Sequence, residues 1–188
     1  QADVLAIYQQ LRQAGYTDDR IILIVEDDIA DNVSNPNKGV IQVTIGGNNV
    51  YENVEIDYRM SSLKAKDILA ILNGEKSESL PTVIESTEND NLFVFWSGHG
   101  VPGAMCWDEE PYAMTGDDLS TVFKDMNLKR RYRKLLMMVE ACFSGGVMEQ
   151  CEGIPGMLFI TAANGDETSK ADVFNGEMKV WMSNRFTS

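Results

Sequence analysis

The sequence predicts an α/β domain with a mainly parallel central sheet. Two observations predict it: short apolar runs of strand length recur along the chain, and segments of helical spacing separate them. The bulk composition agrees, since 188 residues with 44% apolar content suffice for one full-sized core. No internal repeat or linker interrupts residues 1–188, so a single domain is expected.

The elements follow in order. Residues 2–14 carry Val4, Leu5, Tyr8 and Leu11 at helical spacing, and Gly15 ends the pattern. Residues 21–25 form an Ile/Leu/Val run, the signature of a strand buried on both faces. Residues 26–58 are rich in Asp, Asn, Gly and Pro, which predicts a surface excursion with a hairpin at 40–45 and 50–54. A helix over 64–72 is expected, capped from Ser61 and stopped by Gly74. Residues 92–96 predict a second buried strand. Thr115, followed by Asp117 and Asp118, predicts a capped helix running to about Met126. Residues 129–134 are basic and suit a helix C-terminus with a solvated turn. Residues 135–139 and 157–162 complete the set of buried strands, joined by right-handed crossovers. Such a sheet normally opens with a strand before its first helix, so one is expected ahead of Gln1.

Charge narrows the partners. Lys and Arg total 16 against 29 Asp and Glu, a formal charge of −13 that repels phosphate backbones and anionic membranes. Nucleic acid is therefore not an expected partner. No apolar run approaches the roughly 20 residues that span a bilayer. Cys106, Cys142 and Cys151 are too few for a disulfide framework and fit no zinc spacing. The Asp-rich stretch at 27–37 lacks the spacing and turn glycine of an EF-hand loop.

In a parallel sheet, ligands bind beyond the carboxyl ends of the strands. After the second strand the chain reads Ser97-Gly98-His99-Gly100, and after the third Glu140-Ala141-Cys142-Phe143-Ser144-Gly145-Gly146. One crossover separates these strands, so the two loops should meet. His99 is the only histidine in the chain. Imidazole moves protons near neutral pH, and a thiol needs a nearby base or cation to become a thiolate. Cys142 is thus the candidate nucleophile and His99 its acid–base partner. The N–H groups of Gly100 and Cys142 are the candidate oxyanion donors. Cys106 and Cys151 lack such partners and read as structural, with their pairing left to the redox state of the compartment.

These two loops resemble those of legumain-type cysteine peptidases, which have a caspase-like fold and are related to the catalytic subunit of the glycosylphosphatidylinositol transamidase. Gln1-Ala2-Asp3-Val4, Asp27-Asp28-Ile29-Ala30, Asn35-Pro36, Asp57-Tyr58-Arg59 and Thr161-Ala162-Ala163-Asn164 extend the likeness over nearly the whole chain. The resemblance implies a caspase-like three-layer sandwich truncated at both ends. It further implies a cysteine endopeptidase that cleaves after Asn or Asp through an acyl-enzyme on Cys142, without metal or organic cofactor. Its partners would be peptide or protein substrates, with room for a pro-segment or inhibitor, in a secreted or extracytoplasmic setting. Glu140, Thr168 and Ser169 fall on family positions that bind the side chain before the cut. Two family positions fall ahead of Gln1 and two others differ within the chain. An arginine of that pocket would precede Gln1, as would an Asn that orients the histidine. A further family acid aligns near Lys179, or Glu177 with a slipped alignment. Gly98 replaces an Asp linked with ligase behaviour.

Two alternatives remain. A transamidase shares the chemistry with an amine as acceptor, and Asp57-Tyr58-Arg59 and Asn184-Arg185-Phe186-Thr187 resemble that branch. A receiver-like signalling module is suggested by residues 22–28. It would need a phospho-acceptor Asp ending a later strand, whereas the strands here end in Trp96-Ser97 and Val139-Glu140.

Overall fold

The computed structural model describes residues 1–107 and 110–187. Its contacts form two compact units, one made of Gln1–Ser62 with Lys170–Ser188 and the other of Leu63–Ser169.

In the first unit, α1 (Ala2–Gln13) buries Leu5 and Tyr8 and ends at Gly15, whose φ of +94° only glycine adopts freely. Asp3 sits in its first turn, where a carboxylate suits the helix dipole. Although buried, it accepts hydrogen bonds from Asn184 Nδ2 at 2.6 Å and Thr187 Oγ1 at 2.7 Å. The run at 21–25 yields only a short strand, β1 (Ile24–Val25), parallel to β2 (Tyr58–Arg59). The Asp57 carboxylate explains the shortening, because it accepts the Leu23 N–H at 2.8 Å, a donor a longer ladder would need. Burial also alternates along the run, so it is apolar without being covered on both faces. The hairpin expected at 40–54 forms no ladder among the described residues. Asn49 Oδ1 instead accepts the N–H groups of Ile41 and Tyr51 at 2.9 and 3.1 Å, closing the loop through a side chain. Leu5, Tyr8, Leu23, Val25, Ala30, Ile41 and Val50 form this unit's core.

The second unit opens with α2 (Ala65–Asn73), which stops at Gly74 with φ +70°. Its start is set by the Lys64 N–H donating to Asp67 at 2.8 Å, not by Ser61, which lies in a 3₁₀ turn of the first unit. The chain continues through β3 (Asn91–Ser97), β4 (Gly100–Val101), β5 (Ala104–Trp107) and β6 (Glu110–Thr115). Next come α3 (Gly116–Leu128), β7 (Lys134–Glu140), α4 (Ser144–Met148) and β8 (Met157–Thr161). The predicted cap of α3 is present: Thr115 Oγ1 accepts the Asp118 N–H at 3.2 Å, and Asp118 accepts the Thr115 N–H at 3.0 Å. The chain then returns to the first unit as an antiparallel hairpin, β9 (Ala171–Asn175) and β10 (Val180–Asn184).

The central sheet is parallel, in the order β3-β7-β8. Its crossover contains more than the expected helix, since β4, β5 and β6 form a small antiparallel sheet before α3. On one face Leu135, Met137 and Val139 are buried, and so are Leu119, Phe123 and Met126 of α3. The Phe123 and Phe159 rings lie 6.3 Å apart with their planes tilted by 52°. Phe123→Ala should therefore cost about 3–5 kcal/mol of stability, read as a lower urea midpoint at unchanged slope. On the opposite face Phe93, Leu158 and Ile160 are exposed, so β3 and β8 are less buried than their apolar runs predict.

Candidate active site

Parallel pairing of β3 with β7 places the two motif loops side by side. Ser97 stands opposite Glu140 on the last rung, and the Gly98 N–H donates to the Glu140 carbonyl at 3.0 Å. The chain then turns back, with the Cys106 N–H donating to the His99 carbonyl at 2.9 Å. Beneath the turn, the Trp96 and Trp107 rings meet at 5.4 Å, and Trp107 Nε1 donates to the Leu63 carbonyl at 3.0 Å. This frame leaves His99 exposed at the tip. Gly100 presses directly on the cysteine loop: a methyl group there would lie 2.1 Å from the Cys142 carbonyl oxygen. No bulkier residue fits that approach.

The cysteine loop is held from its other side. Ala141 is fully buried and Cys142 partly exposed. Phe143 then adopts a left-handed conformation, φ +57°, which bulky residues adopt only when their surroundings enforce it. Its N–H donates to the Glu167 carbonyl at 2.9 Å, and the Gly145 N–H donates to the Ala163 carbonyl at 3.0 Å. Methyl groups at Gly146 or Gly165 would meet the opposing backbone at 3.2 and 3.0 Å, so these strands of chain cross at glycine distance. As a result, Ser169 Oγ lies 3.8 Å from Cys142 Sγ. The Cys142 N–H makes no hydrogen bond among the described residues.

The specificity candidates are distributed unevenly. Glu140 is 1% exposed at the end of β7, Ser169 is at the sulfur, and Thr168 is exposed beside it. Glu177 and Lys179 lie in the turn between β9 and β10, in the other compact unit. Of the remaining cysteines, both carry free thiols. Burial pushes the Cys151 thiol up to about 11, which keeps it protonated and inert at neutral pH. Among the described residues, no group of three or more His, Cys, Asp or Glu is placed to hold a metal ion.

The profile of the peptidase C13 family matches residues 1–188. The chain belongs to that family. Similar proteins include a vacuolar-processing enzyme of Ricinus communis, 36% identical over 90% of this chain and 35% of its own length. Legumain of Rattus norvegicus is 30% identical over 100% of this chain and 43% of its own. A hemoglobinase of Schistosoma mansoni is 36% identical over 90% of this chain and 39% of its own. The chain thus spans 35% to 43% of the length of these relatives. They favour a peptidase over the transamidase and receiver alternatives. The central parallel sheet with its flanking helices is consistent with the caspase-like fold of the C13 family.

One residue of this C13 domain escapes the sequence reading. Glu167 Oε1 accepts the Asn164 N–H at 3.1 Å, while its carbonyl receives Phe143. It thereby sets the turn that carries Thr168 and Ser169. The spacing Asn164-x-x-Glu167 is half of a capping box and was available as a signal, although no helix follows it.

Proposed function

We propose that this chain forms the catalytic core of a cysteine endopeptidase with Cys142 as nucleophile and His99 as general acid and base. The observation that supports this best is the meeting of two glycine-flanked loops at one sheet edge, Gly98 bonded to Glu140 and Gly100 against Cys142. A thiol and an imidazole on those loops are the pair that acyl transfer needs. In this reading His99 takes the thiol proton and Sγ attacks the scissile carbonyl carbon. The N–H groups of Cys142 and Gly100 face the oxygen as it gains charge. His99 then protonates the departing amine, leaving a thioester on Cys142. Water, losing a proton to His99, attacks the thioester and restores the thiol.

The residue before the cut is Asn or Asp, bound by Glu140, Thr168 and Ser169. A buried carboxylate and two hydroxyls match a short, polar, hydrogen-bonding side chain. Substrates are peptides or proteins; a pro-segment or inhibitor would occupy the same edge. A secreted or extracytoplasmic location is supported by the relatives named for vacuolar processing. No helix among the described residues is long and apolar enough to cross a membrane.

The test is a panel of fluorogenic peptides varied at the residue before the cut, assayed with the whole chain. Cleavage after Asn or Asp at least about 10²-fold faster than after Ala or Leu is expected, since a site built for hydrogen bonds rejects groups that lack them. Equal rates for all side chains would remove the specificity claim. Absence of any cleavage, matched by Cys142→Ala, would remove the enzyme.

A further inference from the structure

Building on that assignment, we infer that Ser169 acts on the nucleophile itself: its hydroxyl hydrogen-bonds the Cys142 sulfur and sets where that sulfur points. The contact of 3.8 Å is within hydrogen-bonding range for sulfur, and either atom can donate. With the thiol protonated, S–H donates to Ser169 Oγ. Once the proton has left, the hydroxyl turns to donate to the anion, and a hydrogen bond to a charged acceptor is the stronger kind. The role is therefore greatest in the reactive form. It is separate from holding a substrate side chain, which Ser169 can do only when a substrate is present.

The surroundings make the contact a built one. Ser169 sits two residues beyond Glu167, whose carboxylate fixes the Asn164 N–H and whose carbonyl fixes the Phe143 N–H. Phe143 is next to Cys142 and is held at φ +57°, so the peptide that carries the sulfur has little freedom to drift. The Ala163–Gly145 hydrogen bond and the Gly146–Gly165 crossing tie the same two segments together again. Sulfur and hydroxyl are thus presented to each other by two clamped stretches of backbone. A cysteine side chain has one rotatable bond to place its sulfur, and one hydrogen bond is enough to choose among its three staggered positions.

The two roles of Ser169 separate experimentally, because a small alkylating agent has no side chain for the specificity pocket. The rate of Cys142 alkylation by iodoacetamide is measured at pH 7 on the whole chain, with the modified residue mapped by mass spectrometry. Ser169→Ala should slow it about 3–10-fold, the worth of one modest hydrogen bond. Ser169→Thr, which keeps a hydroxyl, should recover most of the rate. On the best peptide substrate, Ser169→Ala should lower kcat by a similar factor while KM changes less. An unchanged alkylation rate with a raised KM alone would overturn the inference and leave Ser169 as a pocket residue. An alkylation rate equally slow in the Ala and Thr variants would also overturn it, since a hydroxyl would then not be what matters. Failure of the peptidase assignment looks different: no peptide is cleaved by any form of the chain, whatever the alkylation rates.

Discussion

Cys142→Ala should abolish peptide hydrolysis, lowering kcat/KM by about 10⁴-fold or more, and His99→Ala should lower it by about 10²–10⁴-fold. The asymmetry follows from the proposed roles. Without the sulfur there is no atom to form the thioester, whereas without the imidazole a thiolate still forms at raised pH and water can supply the leaving-group proton. Residual activity of His99→Ala should therefore rise with pH where that of Cys142→Ala stays flat. Because the two groups act as one unit, the double variant should be no worse than Cys142→Ala alone. A pH series of initial rates on one Asn-containing peptide supplies all three comparisons. Full activity in either single variant would remove that residue from the chemistry. An effect of His99→Ala confined to KM would demote it to substrate binding.

The parts of this site that the sequence made legible are those with a strong local cause. Residues 92–96 and 135–139 are apolar runs, and each ends in a cluster of small residues, so both strands and both loops were readable. Parallel pairing then follows from the crossover, and it brings Ser97 opposite Glu140. Gly74 and the Thr115–Asp118 pair also worked locally, one through a φ of +70° and the other through reciprocal capping bonds. What stayed hidden depends on distant partners. The Asp57 carboxylate shortens β1 by taking the Leu23 N–H, a contact across 34 positions that no window of sequence displays. Phe93, Leu158 and Ile160 have the composition of buried strands, yet composition cannot tell which face of a sheet carries another layer. Glu167 is an ordinary acidic residue in a polar loop until the fold brings Phe143 to its carbonyl. Cys142 and His99 could be proposed from the sequence because chemistry restricts which residues can do that work. Glu167 holds Phe143 through a carbonyl, a group that every residue has, and so that contact faces no such restriction.

Gly100→Ala should lower kcat/KM by about 10²-fold while leaving the protein folded, the largest effect expected from any substitution outside the reacting groups. Gly100 needs no glycine for its backbone angles, since its φ is not positive. The constraint is contact alone. The added methyl would fall 2.1 Å from the Cys142 carbonyl oxygen and 3.3 Å from Ala141 Cβ, and both belong to the loop that carries the sulfur. That loop is clamped on its far side by the Glu167 and Ala163 carbonyls, so it cannot simply retreat. The overlap must be relieved by moving the Gly98–Gly100 loop outward by roughly 1 Å, and a misplacement of that size typically costs about 10²-fold in rate. The strain of overpacking adds about 1–3 kcal/mol to the folding balance, less than a domain's usual reserve. Gly98→Ala is the internal comparison. There the nearest atom to the new methyl is Trp96 Nε1 at 3.3 Å, more than 1 Å farther than the carbonyl oxygen that faces Gly100, so activity should fall only a few-fold. Circular dichroism and urea midpoints establish that both variants fold, and kcat/KM on the same peptide ranks them. Equal activities at positions 98 and 100 would mean that the close approach of the two loops does not control the reaction, because only the second substitution forces them apart.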